Sequence, residues 1–325
     1  MSGAGQRGPV SGDRSPKYAG LPTFMRLPLA DPAAPPDVVI LGVPFDGGTS
    51  VRPGSRFGPR AIREASTMLR PFHPGYEFSP FDRLRVADGQ DVAVNPLDLE
   101  ASLRATQDAV AGWHERGARV LALGGDHLVT LPILRGIHGD ALALVHIDAH
   151  SDTEDEFFGS RYNHGTVFRR AIEEGLVAPG LAQQIGIRGP TYSADELDFA
   201  REAGVAIYTC EAAEAIGADA LAARIRGRVG RRPVYVSFDI DGIDPVFAPG
   251  TGTPEIAGLD VKFCLRLLRG LQGLDVVGAD VVEVSPPYDL GQLTSTLAAH
   301  LVFELLCLMA ADQQSLRGPS SAIGG

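Results

Sequence analysis

Between residues 30 and 310, short β-branched apolar runs alternate with longer Ala-, Leu- and Arg-rich helical patterns. DVVILGV, RVLALGG, ALALVHID, QQIGIRG, GVAIYT, PVYVSFDID and VVGADVVEVS read as strands, and GPRAIREASTML, LEASLRATQDAVAGWHERG and TSTLAAHLVFELLCLMAA as helices. Strands covered by helices on both faces are near-continuous apolar runs, so this rhythm predicts a three-layer α/β/α fold around a mainly parallel sheet. No solenoid repeat or Pro/Ser linker interrupts it, which predicts one domain over residues 21–312. Residues 1–20, rich in Gly, Ser, Pro and Arg, read as a flexible arm, and residues 313–325 as a flexible tail.

Several strands end alike. LALGGDH, ALVHIDAHSD, VYVSFDIDGIDP and VVEVSPPYD each pass from apolar residues straight into acids or histidines. Ligands of open α/β sheets collect beyond the carboxyl ends of the strands, so these four segments are candidates for one crevice. Side chains two apart on an extended chain share a face, which aims Asp148, His150 and Asp152 together, and Asp239 with Asp241. His127, after the Gly124–Gly125 turn, offers a sixth ligand. His146 has the same parity but sits deeper in the apolar run and reads as hydrogen-bonded support.

A lone Asp-x-Asp is usually a solvated turn and a lone strand-end His usually a core residue; the combination is what points to metal. Four carboxylates and two imidazoles, without sulfur, suit Mn²⁺ in near-octahedral sites better than tetrahedral Zn²⁺. Burying four carboxylates without cations costs several kcal/mol each, roughly, whereas two divalent ions neutralise them. Two ions held about 3.5–4 Å apart acidify a shared water toward neutral pH.

Composition narrows the partners. The net charge of -11 lacks the basic footprint of nucleic-acid binding and fits a cationic small molecule. Cys210, Cys264 and Cys307 have no C-x-x-C spacing and read as reduced core residues. The N-terminus has no apolar signal region and no stretch reads as membrane-spanning, so a cytoplasmic enzyme without a membrane partner is the expectation. DIDGIDPVF departs from a calcium-loop spacing, and neither a P-loop nor a G-x-S-x-G elbow is present. A two-metal phosphoesterase would need cations where these segments carry acids.

GGDH (Gly124–His127), DAHSD (Asp148–Asp152) and SFDIDGIDPVFAPGTGTPE (Ser237–Glu255) resemble, in order, the three signature blocks of the ureohydrolase family: arginases, agmatinases and related guanidino-compound hydrolases. The resemblance runs from VILGVPFDGGTSVRPGSRFGPRAIR to the final helix. It implies a binuclear Mn²⁺ site in which His127, Asp148, Asp152 and Asp239 hold one ion and His150, Asp148, Asp239 and Asp241 the other. It also implies attack of activated water on the guanidinium carbon, giving urea and an amine. By the same resemblance, His164 shuttles protons and Glu283 orients the guanidinium, completing with Asp152 a catalytic set. Family members commonly form trimers or hexamers, so a homo-oligomer is expected.

Arginases carry Asn two residues after the DAHxD block, where it helps receive the α-carboxylate of arginine. This chain has Glu154, then Asp155 and Glu156. Three acids together would repel a carboxylate and attract an amine, with Glu154 and Asp155 as the substrate contacts, which favours agmatine, cleaved to putrescine and urea. The alternative is a guanidino acid, 4-guanidinobutyrate or 3-guanidinopropionate, with Arg161 and Arg188 as candidate carboxylate partners. Leu128 replaces the Ser usual after GGDH, so support near His127 is expected to be lost or replaced.

Overall fold

The computed structural model describes residues 8–13, 15–137 and 139–316. Eight parallel strands form one sheet, ordered β2-β1-β3-β8-β7-β4-β5-β6. They are β1 (Val38–Gly42), β2 (Val86–Asp91), β3 (Arg119–Leu123), β4 (Leu142–Ile147), β5 (Val177–Ile187), β6 (Ala206–Thr209), β7 (Val234–Asp239) and β8 (Val276–Val282). Alternate β1 side chains enter opposite layers: Val38 and Ile40 one apolar cluster, Val39 and Leu41 the other. The three-layer expectation holds.

One layer contains helices α1 (Gly58–Ser66), α6 (Cys210–Ile216), α7 (Ala218–Val229), α8 (Val261–Gly270) and α9 (Leu293–Leu316). The other contains α2 (Leu99–His114), α3 (Thr130–Gly136), α4 (Val167–Glu173) and α5 (Asp198–Ala203). Asp98 caps α2 by accepting the Ala101 N–H at 2.9 Å, and Asp260 caps α8 by accepting the Phe263 N–H at 2.6 Å.

Seven strands match the apolar runs; β2, sequence VADGQD, is additional. It lies at the sheet edge against β1, and its polar residues are balanced from outside the strand. Buried Arg63 of α1 donates from Nε to Asp88 Oδ2 at 2.9 Å and pairs with Asp91, while Asp88 also accepts the Phe24 N–H at 2.7 Å. A tertiary ion pair thus places a strand that local apolarity does not mark.

One expectation changes. Leu290–Ala311, 22 residues, has the length and apolarity to cross a bilayer, contrary to the expectation that no stretch does; 78% of its apolar window is buried inside the protein. Packing of α9 against α1, α8 and β8 accounts for that apolarity, as for any helix enclosed in a core. At the termini, residues 1–7 of the expected arm and 317–325 of the expected tail lie outside the described residues. Val10 N–H donates to Arg26 O at 3.3 Å and Lys17 Nζ to Met68 O at 2.9 Å, while α9 continues through residues 313–316.

Asp88→Ala would leave the buried guanidinium with Asp91 as its one carboxylate, so it should lower unfolding free energy by about 2–3 kcal/mol. Disrupting the exposed Arg85–Asp37 pair should cost about 1 kcal/mol or less. Chemical denaturation of both variants checks the contrast; equal losses would refute the role given to Asp88.

Candidate metal centre

The four segments that pass into acids and histidines follow β3, β8, β7 and β4, which are consecutive in the middle of the sheet. Because all the strands are parallel, their turns open at one edge. After β3 the chain bends at Gly125, where a Cβ would meet Phe45 O at 1.7 Å. Asp126 secures that turn by accepting the Leu128 N–H at 3.1 Å and the Gly48 N–H at 2.6 Å, which delivers His127 to the sheet's end.

His127 Nδ1 lies 3.0 Å from Asp148 Oδ2, 2.9 Å from Asp152 Oδ2 and 3.1 Å from Asp239 Oδ2. It is fully buried and makes no hydrogen bond of acceptable geometry with any of them. Four donor atoms therefore converge without satisfying one another, an arrangement completed by a cation at their centre. Beside it, His150 Nδ1 lies 3.2 Å from Asp241 Oδ2 and 3.4 Å from Asp148 Oδ1. Asp148 thus contributes one oxygen to each group, and the donor set fits two hard divalent ions.

By proximity alone His146 joins the first group, since its ligand atoms and those of His127, Asp148 and Asp152 lie within 4.8 Å of one another. Both its nitrogens are otherwise engaged. Nε2 is 2.7 Å from Asp148 Oδ2, Nδ1 is 3.3 Å from the Gln184 amide, and the ring packs on Phe168 at 4.2 Å. It holds Asp148 in place. Asp239 lies outside both proximity groups, yet its Oδ2 faces His127, and Oδ1 accepts the Asp241 N–H at 2.9 Å.

The two-residue period is not what brings these ligands together. β4 ends at Ile147, so Asp148, His150 and Asp152 lie on a turn, and Asp152 has φ +54°. Asp241 likewise lies in a short 3₁₀ turn, Ile240–Gly242. Glu283, just beyond β8, has φ +62°. A positive φ is strained for a side-chain-bearing residue, and here two such residues adjoin the same cluster.

Burial dominates the electrostatics. It raises Asp239 well above the usual carboxylate range, reinforced by Asp241 and Asp148. Burial likewise raises Asp241, against the pull of His150. For Asp148, burial is outweighed by His146, His127 and His150, which hold it well below that range. His127 rises well above the ordinary imidazole value because Asp148, Asp152 and Asp239 outweigh its burial. In charge terms the histidines are filling in for cations.

Glu283 Oε1 accepts the His127 backbone N–H at 2.9 Å and lies 3.2 Å from His164 Nδ1. His164 Nε2 is 2.7 Å from Ser50 Oγ and 3.2 Å from the Ser50 amide. The amide favours a bare Nε2 and Glu283 a protonated ring; the hydroxyl serves either form. Burial works against the charge on His164, but Glu283, with Asp152 and Asp126 behind it, raises the ring to about 9. Burial and Glu283 also push Asp126 up to about 8.

A cavity of about 540 Å³ opens over the cluster, with His150, Asp152 and Asp239 at its floor and Ser50, Arg52, Glu154, His164, Tyr192 and Glu196 among its walls. Glu154 is raised by burial and by Glu196. Asp155 is not among the lining residues: Arg170 donates to it at 2.6 Å, with Arg161 at 3.3 Å and Arg169 at 3.6 Å. Arg161 is therefore engaged, and also reaches Glu173 at 3.1 Å. Arg188 spends its guanidinium on backbone carbonyls, including those of Asp241 at 2.6 Å and Glu255 at 2.7 Å. Of the residues expected to meet the far end of a substrate, Glu154 alone stands free at the cavity.

Several supporting residues were not apparent from the sequence. Leu128 is buried and apolar, and the partner of His127 Nε2 is Ser237 Oγ, at 2.9 Å, backed by Asp280. Ser237 lies inside the matched SFDIDGIDP block, so that block itself was the available signal. Asp280, within an apolar strand, had only its polarity in a buried run to mark it.

The sequence model of the arginase family matches residues 36–308. Guanidinopropionase of Pseudomonas aeruginosa is 52% identical over 305 residues, covering 93% of this chain and 96% of that protein. The mitochondrial agmatinase of Gallus gallus is 43% identical, covering 93% of this chain and 89% of its own length. The structure of proclavaminate amidinohydrolase from Streptomyces clavuligerus superposes with a TM-score of 0.88 at 47% identity, covering 92% of this chain and 100% of that one.

His164 carries a pH prediction. Its folded value, about 9, exceeds the ordinary 6.5, so its charge stabilises the fold fully below pH 6.5 and that contribution fades as pH rises toward 9. Histidine NMR titration of metal-free protein should show one ring titrating near 9, falling toward 6.5 in Glu283→Gln. An unchanged midpoint in the variant would contradict the assigned pair.

Proposed function

The chain belongs to the arginase family, and on that premise we propose that it is a two-metal amidinohydrolase that cleaves a guanidino acid to urea and an amino acid. The observation that carries the hydrolase reading is the convergence of three carboxylate oxygens on an unsatisfied His127 Nδ1 beneath the cavity. His127, Asp148, Asp152 and Asp239 would hold one ion, and His150, Asp148, Asp241 and, as the resemblance implies, Asp239 the other, with Mn²⁺ suited to this oxygen-rich set. When bound, such ions supply Lewis acidity and an acidified water for attack on the guanidinium carbon.

The chain's own groups do the rest. Glu283 Oε1 is held by His127 N–H and His164, and Oε2, beside Gly252, is free of protein hydrogen bonds among the described residues; it would orient the guanidinium. His164, which lines the cavity and meets Glu283 through Nδ1, would deliver a proton to the departing amine nitrogen. The cavity walls would hold the reacting carbon over the floor.

Substrate choice rests on the cavity's cations and acids. Asp155 is neutralised by arginines and away from the cavity, which removes part of the case for an ammonium. Arg52 lines the cavity, lies 5.3 Å from the Tyr288 ring and pairs with no carboxylate among the described residues, so it is suited to receive the carboxylate of a guanidino acid. Glu154 beside Glu196 favours the second reading, agmatine. A cytoplasmic location, the expectation from the sequence, belongs to the same proposal, as does a trimeric or hexameric assembly by resemblance alone.

Urea release with Mn²⁺ from 3-guanidinopropionate, 4-guanidinobutyrate, agmatine and arginine tests this directly, the guanidino acids being expected to give the highest kcat/KM. Arg52→Ala should raise KM for the guanidino acids about tenfold, the worth of one charge-assisted contact, while leaving agmatine unaffected. Agmatine turned over best, with Glu154→Gln selectively impaired, would establish the second reading instead. Asp239→Asn should lose bound metal with activity, whereas His164→Ala should keep metal and lose about 10²–10⁴ in rate. Equal metal loss in both would contradict these roles.

A further inference from the structure

We infer that Asp280 is a positioning residue that, through Ser237, fixes which nitrogen of His127 carries the proton; this rests on the metal-centre reading above. Ser237 and Asp280 are register partners on β7 and β8, and both are fully buried. Asp280 Oδ1 accepts the Ser237 hydroxyl at 2.7 Å, while Oδ2 accepts Tyr235 Oη and Thr130 Oγ1, each at 2.7 Å. Both Asp280 oxygens accept, so each of the three hydroxyls spends its single proton on Asp280.

That leaves Ser237 with nothing but lone pairs to offer His127. At 2.9 Å, Nε2 must therefore be the donor, and in a neutral imidazole the proton on Nε2 leaves Nδ1 bare. Nδ1 is the atom that faces Asp148, Asp152 and Asp239 without a hydrogen bond. While no ion is bound, three carboxylates at that distance draw a second proton to Nδ1, and an ion must displace it. Asp280, about one residue's reach behind Ser237, works against that pull from inside the sheet. The carboxylate that decides the ligand's tautomer thus touches neither the ligand nor the cavity.

Asp280→Asn tests this, since its amide donates toward Ser237, reverses the hydroxyl and moves the proton to Nδ1. Titration calorimetry with Mn²⁺ on the metal-stripped full chain should show affinity for the first ion reduced about 10–100-fold. Tyr235→Phe and Thr130→Val remove hydrogen bonds from the same carboxylate without touching His127. Both should lower the melting temperature yet leave Mn²⁺ affinity within about twofold of wild type. Ser237→Thr, which keeps the hydroxyl, should retain affinity, and Ser237→Ala, which serves if Asp280→Asn does not fold, should lose it. Wild-type affinity in Asp280→Asn or Ser237→Ala, or equal losses in Tyr235→Phe and Thr130→Val, overturns the relay. A wild-type chain that takes up no Mn²⁺ overturns the metal-centre reading and the relay with it.

Discussion

The repulsion among Asp148, Asp152, Asp239 and Asp241, all buried at the end of one sheet, is the constraint around which this molecule is arranged. Charges withdrawn from water at such separations cost several kcal/mol apiece, roughly, unless cations or hydrogen bonds answer them. Without an ion, the protein answers with imidazoles: His127 among three carboxylates, His150 between two, and His146 behind Asp148. This is a costly holding arrangement, and His127 Nδ1, buried and unbonded, shows where it is incomplete. Binding of divalent ions would convert the same repulsion into ligand field, coupling metal uptake to fold stability.

The architecture makes so concentrated a charge possible. Parallel neighbours β3, β8, β7 and β4 present four turns to one edge; those after β3, β7 and β4 are tied by a short hydrogen-bonded bend, and the one after β8 by the Glu283 N–H donating to Gly125 O at 2.8 Å. Apolar clusters on both faces fix the strands, so strain at Asp152 and Glu283 is carried by a rigid frame. A second ring of partners then sets the orientation of the first: Gln184 for His146, Ser237 for His127, Asp126 for the turn that carries it. Glu283 joins the two halves of the site, since one oxygen contacts both the metal-side His127 and the cavity-side His164.

Most of this fold is legible in the chain because the inner strands are buried on both faces and therefore uniformly apolar. β2 escapes that logic. Its stability as an edge strand comes from Arg63, distant in sequence, and a run of Asp-Gly-Gln-Asp carries no local sign of it. At the site, residue types and order point to the correct cluster, but for a partly mistaken geometric reason: the ligands converge through turns, including a positive-φ aspartate, and not through strand alternation. Asp155 illustrates the opposite limit. Three acids in a row look like a cation receptor until α4 supplies the arginines that neutralise one of them. Asp280 is invisible beforehand because its importance lies in cross-strand register with Ser237, a relation that no single segment contains.

The central claim is that the buried carboxylates are organised for two ions, and crystals of the full chain grown with Mn²⁺ test it most directly through anomalous scattering at the manganese edge. Two peaks about 3.5–4 Å apart are expected, one bound by His127 Nδ1 and the other by His150 Nδ1, with Asp148 between them and His146 bound to neither. No peak in the cluster, or a single ion ligated by His146, would contradict it.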